Sequence, residues 1–256
     1  MRGKQNGAAL GLCLAWAAAT SALAAPEEIE VYRNELNAPG AWSLETNQSY
    51  VVSGPDEHEP GELASVGRYR LTPEIAYGLA PHWEAGVLAM ATVRDGAFDA
   101  HGIKGRIRYI APHAEAGAYW GANLEVGWTD HHLQAKPWSA ELRGIWGYAG
   151  KTWIISFNPT LEMSAGQGAA EPVALEMQAK VGRRFGDKLI LGLESYNDFG
   201  QVQRFSAFDQ ESQMLYATAD FALKHGDLNL GVGHGLNGVS DGWAVKAVWG
   251  LPLGKR

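Results

Sequence analysis

Lys104, Arg106 and Arg108 occupy every second position of one short segment, and Arg68 and Arg70 do the same in another. Residues two apart share a face of an extended strand, so each spacing lays its cations in a row. Facing a lumen, such a row makes an electropositive constriction for anionic or polar solutes. The same parity carries the opposite charge in Glu74, Glu125, Glu141, Glu162, Glu176 and Glu194, interspersed with Arg143, Lys180 and Lys246. Glu45, Glu84, Arg184 and Asp220 share it too. Two readings stay open. Either these groups line a path for solute, or they cross-link an interior as hydrogen-bonded pairs, because an unpaired buried charge is costly.

Other clusters carry less. Asp56-Glu57-His58-Glu59 and Asp130-His131-His132 combine carboxylates with imidazoles, which suit divalent cations. Neither has a turn-forming glycine scaffold, so both read as solvated acidic loops, and no metal or cofactor is expected. Gly233-His234-Gly235-Leu236-Asn237-Gly238 has the spacing of a dinucleotide fingerprint, but a strand follows where a helix N-terminus would have to meet the phosphate. The sharpest enzymatic reading is lipid hydrolysis by an outward-facing His234 with Ser212 or Ser240 as nucleophile. No nucleophile motif frames either serine, so no catalytic residue is expected and the chain reads as a non-enzyme. Acidic residues outnumber basic ones 28 to 21, for a net charge of −7, which argues against a nucleic-acid partner.

The elements that must hold the charged rows have a consistent period. From residue 40 onward about twelve segments alternate apolar with polar residues: 42–52, 66–78, 83–93, 102–110, 119–129, 138–148, 153–163, 173–184, 189–197, 213–223, 228–235 and 243–253. Each is near the ~10 residues that a tilted membrane strand requires. In the second, Gly67, Tyr69, Leu71, Pro73, Ile75 and Tyr77 form one face and Arg68, Arg70, Thr72, Glu74 and Ala76 the other. Trp42, Trp83, Trp120, Trp128, Trp138, Trp146, Trp153, Trp243 and Trp249 all fall on the apolar face. They sort into two belts. Trp42, Tyr77, Trp83, Tyr109, Trp120, Trp146, Tyr148, Trp153 and Trp249 lie toward the periplasm, and Tyr50, Tyr69, Trp128, Trp138 and Trp243 toward the exterior. Amphipathic rings favour that interfacial depth, and a soluble sandwich core would not divide them so.

Connections alternate as well. Short links at 79–82, 149–150, 186–187 and 224–227, with a somewhat longer one at 111–118, are interleaved with links at 53–65, 94–101, 130–137, 164–172, 198–212 and 236–242. Short periplasmic turns and longer external loops are the habit of outer-membrane barrels. The fold expected is all-β, a transmembrane antiparallel up-and-down barrel of about twelve strands. That size lies between barrels filled by side chains and barrels with a water channel.

The N-terminus gives the address. Arg2 and Lys4 precede an apolar run over 8–19, and Ala22-Leu23-Ala24 supplies a small-x-small cleavage site. Residues 1–24 read as a cleaved signal peptide, 25–39 as a periplasmic N-terminal segment, and 40–256 as the barrel in the outer membrane of a Gram-negative bacterium. Cys13 is the sole cysteine and lies within the signal. Leu12 before it argues against lipidation, and beyond it neither disulfides nor cysteine catalysis are open to the chain.

Leu71-Thr72-Pro73-Glu74-Ile75-Ala76-Tyr77-Gly78-Leu79, then Trp83-Glu84, then Gly102-Ile103-Lys104-Gly105-Arg106 form a strand, a Tyr-Gly-Leu turn, a second strand and a Gly-x-Lys strand. This pattern resembles the bacterial outer-membrane proteins grouped with the phenol-degradation meta-pathway transporters. The resemblance spans about the middle third of the chain and implies a channel or transporter for small polar, anionic or aromatic solutes. One departure is the C-terminus, Leu251-Pro252-Leu253-Gly254-Lys255-Arg256, where many such barrels end on an aromatic read by the insertion machinery. Expected partners are outer-membrane lipid, that machinery and a small solute, with the barrel a monomer. The rival reading is a closed structural or surface-interaction barrel that presents loops 53–65 and 198–212.

Overall fold

The computed structural model describes residues 28–55, 64–94, 96–130, 132–133, 136–166 and 168–254. The signal over 1–24, the Asp56-Glu57-His58-Glu59 cluster and His131 lie outside them. Twelve long strands carry the fold: β1 Trp42–Ser53, β2 Tyr69–Ala80, β3 Trp83–Arg94, β4 Ala97–Ile110, β5 Gly117–Thr129, β6 Trp138–Ala149, β7 Trp153–Gly166, β9 Ala174–Phe185, β10 Leu189–Gln201, β12 Gln213–Leu223, β13 Gly226–Gly235 and β14 Trp243–Leu253. The two-residue strands β8 Ala169–Ala170 and β11 Arg204–Phe205 extend the hairpin ends of β7 and β10. Every long strand pairs antiparallel with its sequence neighbour, β9 joins β7 to β10, and β1 closes the ring against β14 in the register Trp42↔Leu253 to Ser53↔Trp243. Closure leaves no sheet edge with unpaired backbone groups, which hydrocarbon would not tolerate.

The apolar face points out. All nine tryptophans are 41–57% exposed on the outer wall, in the company of Ile75, Val87, Leu124, Leu142, Leu193 and Val232. Cross-strand register stacks the belt rings: Trp42 lies 4.5 Å from Tyr77 and Trp83 4.7 Å from Tyr109, while Trp120 opposes Trp146 and Trp128 opposes Trp138.

One connection differs from the sequence expectation. The link foreseen over 94–101 is a hairpin in which only residues 95–96 separate β3 from β4. Gly96 takes φ +79°, a left-handed turn conformation that glycine adopts without strain. The register then slips once: Met90 pairs with Gly102 and Ala91 with Ala100, so His101 is an extra residue bulged out of β4. Odd positions below the bulge face out, as Ile103 and Ile107 do, whereas above it the even Phe98 does. The bulge thereby turns His101 into the interior, where it is 2% exposed.

Candidate functional site

All fourteen residues expected inside face the interior. Arg68, Arg70, Glu74, Lys104, Arg106, Arg108, Glu125, Arg143, Lys180, Glu194 and Lys246 are buried, and Glu141, Glu162 and Glu176 half-buried. The five cations of the two rows do not form one open ring. Arg106 donates from Nε to Glu74 Oε1 at 2.8 Å and from Nη2 to Glu84 Oε1 at 2.8 Å, and Lys104 holds Glu141 at 2.6 Å. Gly86 makes room for the first pair, since a Cβ there would fall 2.6 Å from Glu74 Oε1. On the opposite wall Lys180 bridges Glu194 and Asp220 at 2.8 and 2.7 Å, and Lys246 also donates to Glu194. Opposite charges held in such short pairs offset the cost of burying each alone.

The larger departure is the N-terminal segment. Residues 25–39 read as periplasmic, but residues 28–37 run up inside the barrel. The chain turns over the wall at Gly40, whose N–H donates to Gly78 O at 2.8 Å. A Cβ at Gly78 would meet Ala38 O at 2.2 Å, so only glycine admits the crossing. The Asn37 N–H donates to Glu84 Oε2 at 2.7 Å. Higher up, the Tyr32 N–H donates to Asn158 Oδ1 at 2.7 Å, and its carbonyl accepts from Ser156 Oγ at 2.6 Å and Asn158 Nδ2 at 3.0 Å. The Ile29 N–H reaches Asn47 Oδ1 at 3.3 Å and its carbonyl accepts from Lys246 Nζ at 2.8 Å.

Tyr32 is the centre of this contact at 1% exposure. The guanidinium carbons of Arg108, Arg143 and Arg106 stand 3.7, 4.4 and 5.9 Å from its ring centroid, a cation-π arrangement strengthened by desolvation. Its hydroxyl lies 3.0 Å from Glu28 Oε2 and 3.2 Å from Glu125 Oε1. One phenolic proton cannot serve two carboxylates at once. Burial, then the negative charges of Glu125 and Glu74, push the Glu28 carboxyl well above its ordinary range, which favours the protonated form that can complete the chain of hydrogen bonds. Burial, then the charges of Glu125 and Glu28, raise the Tyr32 phenol as well.

Apolar contacts complete the fit. Ile29 and Val31 pack on Val51, Tyr196, Met214, Tyr216 and Ala244, and Tyr32 and Leu36 on Ile110, Tyr119, Ile145 and Ala149. Sequence reasoning missed this partner, though its signal was present: Tyr119, Ile145, Met214 and Tyr216 sit at inward parity, where a water-filled lumen would have no use for them. At the outer mouth Leu133, on the β5–β6 loop, packs over Leu88 and Met90. At the periplasmic end a cavity of about 360 Å³ remains, lined among others by Arg33, Glu45, Arg108, Lys180, Arg184 and Asp220.

Among the described residues no hydrogen bond joins His234 to Ser212 or Ser240. The His234 ring stacks edge-on against Trp243 at 4.5 Å, while Ser240 is buried and bonded to Asn237 and to the Gln213 backbone. The glycines at 233–238 lie on a strand and its turn, and no helix occurs among the described residues.

No family model matches the sequence, and no curated protein matches it. Solved structures do. The NanC porin is 8% identical and superposes with a TM-score of 0.55 over 83% of this chain and 100% of its own. The translocator domain of the autotransporter NalP from Neisseria meningitidis (12% identity, TM-score 0.46) covers 86% of this chain and 90% of its own. Outer membrane phospholipase A from Escherichia coli (13% identity, TM-score 0.43) covers 93% and 99%. What the chain shares with the first of these is the architecture of a closed antiparallel barrel, and this is the fold of an outer-membrane β-barrel.

Proposed function

We propose that this protein resides in the outer membrane as a gated conduit for small polar or anionic solutes, closed in the conformation described by its own residues 28–37. The observation that carries the reading is that none of residues 28–37 joins the β-ladder. The segment is held by side chains and by apolar contact, so its departure breaks no backbone bond of the wall. It would leave a lumen lined by Arg106, Arg108, Arg143 and Lys104 facing Glu74, Glu84, Glu125 and Glu141, charged groups that water would solvate once the segment had left. The architecture shared with a porin supports passage as the class of function. The motifs similar to phenol-degradation meta-pathway transporters extend the proposal to aromatic solutes.

Single-channel recording tests it, comparing the chain from residue 25 with one lacking residues 28–37. The intact chain should be mainly closed with brief openings. The shortened one should conduct steadily, and Arg106→Ala should shift its ion selectivity away from anions. A shortened barrel that is folded yet silent would overturn the conduit and leave a closed barrel acting through its outer loops.

A further inference from the structure

We propose that His101, Asp130 and His132 form a binding site for a divalent transition-metal ion of the Zn²⁺ class at the outer mouth of the barrel. Their ligand atoms all lie within 4.8 Å of one another. His101 Nδ1 stands 3.0 Å and His132 Nδ1 3.3 Å from the same oxygen, Asp130 Oδ2. A cation with bonds of about 2.0–2.2 Å to nitrogen and oxygen sets neighbouring ligands roughly 3.0–3.4 Å apart, so both edges match. Two imidazoles and one carboxylate are a set that suits zinc, nickel, cobalt or copper better than calcium or magnesium, which take oxygen.

The site is built rather than incidental. His101 reaches the interior only through the bulge in β4, and bulges recur where a side chain must be re-aimed. Thr92 Oγ1 lies 2.7 Å from His101 Nε2. Without metal, Nδ1–H donates to Asp130; with an ion on Nδ1 the proton shifts to Nε2, where Thr92 Oγ1 accepts it as the outer partner that metal-binding histidines commonly have. Asp130 is fixed in turn. Its N–H donates to His101 O at 2.7 Å, and its Oδ1 accepts from the His132 N–H at 3.0 Å. His101 is buried, whereas the side chains of Asp130 and His132 are 22% and 43% exposed, so an ion has an entry path from outside. Sequence spacing alone read 130–132 as a solvated loop because His101 lies some thirty residues away and comes to hand only through the bulge. A metal there would clip the β5–β6 loop, with Leu133 over the lumen, to the wall at β4.

Metal content is the test, with refolded, untagged barrel stripped by chelator and then dialysed against micromolar Zn²⁺ in excess Ca²⁺ and Mg²⁺. About one Zn²⁺ per barrel should remain. His101→Ala, Asp130→Asn and His132→Ala should each weaken binding more than tenfold, and Thr92→Val by about 10–100-fold as the loss of a supporting partner. His113→Ala should change nothing, since that ring is bonded to Asn34 and the Ala111 carbonyl. Resistance of each barrel to unfolding in cold detergent shows that it is folded. Wild-type retention no greater than that of the His101/His132 double variant would overturn the site. So would Asp130→Asn retention at the wild-type level, or displacement of Zn²⁺ by equimolar Ca²⁺.

Discussion

At the residue scale the docking of the N-terminal segment turns on Tyr32, which three guanidinium groups and two carboxylates address at once. Truncating a buried aromatic costs about 3–5 kcal/mol, here drawn from docking of the segment. Tyr32→Ala should therefore raise exposure of residue 31 by two orders of magnitude or more, each 1.4 kcal/mol being tenfold. Labelling of Val31→Cys by an impermeant maleimide measures this in a chain expressed from residue 25, which lacks Cys13. Tyr32→Phe keeps the ring and loses the hydroxyl, and should cost only about 1–2 kcal/mol. Equal labelling of the parent and Tyr32→Ala would remove Tyr32 from the account. Glu28 adds a dependence on pH. Its carboxyl, facing Tyr32, Glu125, Glu74, Arg143 and Glu30, titrates well above the ordinary range in the docked state, so docking takes up a proton. Docking is then strongest below the ordinary carboxylate range and is lost progressively as pH rises through the raised value. The open fraction in bilayer recordings should increase with pH, and Glu28→Gln should flatten that dependence while holding the segment in place.

At the element scale, alternation decides which face meets lipid. Leu230, 42% exposed near the middle of β13, should tolerate arginine poorly, at a cost of about 2–4 kcal/mol for a charge near the bilayer midplane. Urea unfolding from lipid vesicles measures it, and a change near zero would place that face away from hydrocarbon. The strands themselves were legible because period two leaves each wall residue little choice: a register slip on β2 would drive Arg70, Thr72 and Glu74 into lipid. The β3–β4 connection was misread for an equally physical reason. Asp95-Gly96 is a hairpin signal, but the bulge at His101 inverts parity between Phe98 and Ile103, and a broken alternation looks like a loop. Read as one inserted residue, the same break gives both the hairpin and the inward histidine.

For the whole molecule, the sequence pattern determines a closed wall but not its contents. The inward charges were identifiable one by one, from Arg68 to Lys246, while their partners were not. Pairs such as Arg106–Glu74 and Lys246–Glu194 join strands that are not ladder neighbours, whose approach across the ring follows from tilt and stagger. The segment over 28–37 was harder still. It alternates weakly, joins no ladder, and is betrayed mainly by the apolar side chains that await it across the lumen. Removing it should leave the wall folded, because the seam from Trp42 to Leu253 is made without it.

That seam bears on the order of assembly. The ring shuts where β1 meets β14, and until those two strands pair, the edges of the sheet stand apart and the interior is an open trough. Asn47, Glu84, Glu125, Ser156 and Asn158 belong to β1, β3, β5 and β7 on one side of that seam and can seat the segment before the ring shuts. Tyr216, Ala244 and Lys246 belong to β12 and β14 on the other side, and the Lys246 ammonium meets the Ile29 carbonyl across the closing gap. The wall is thus wrapped around a piece of its own N-terminal chain, as a hoop is bent round a mandrel, and a barrel that zipped before loading would have to be threaded from one end.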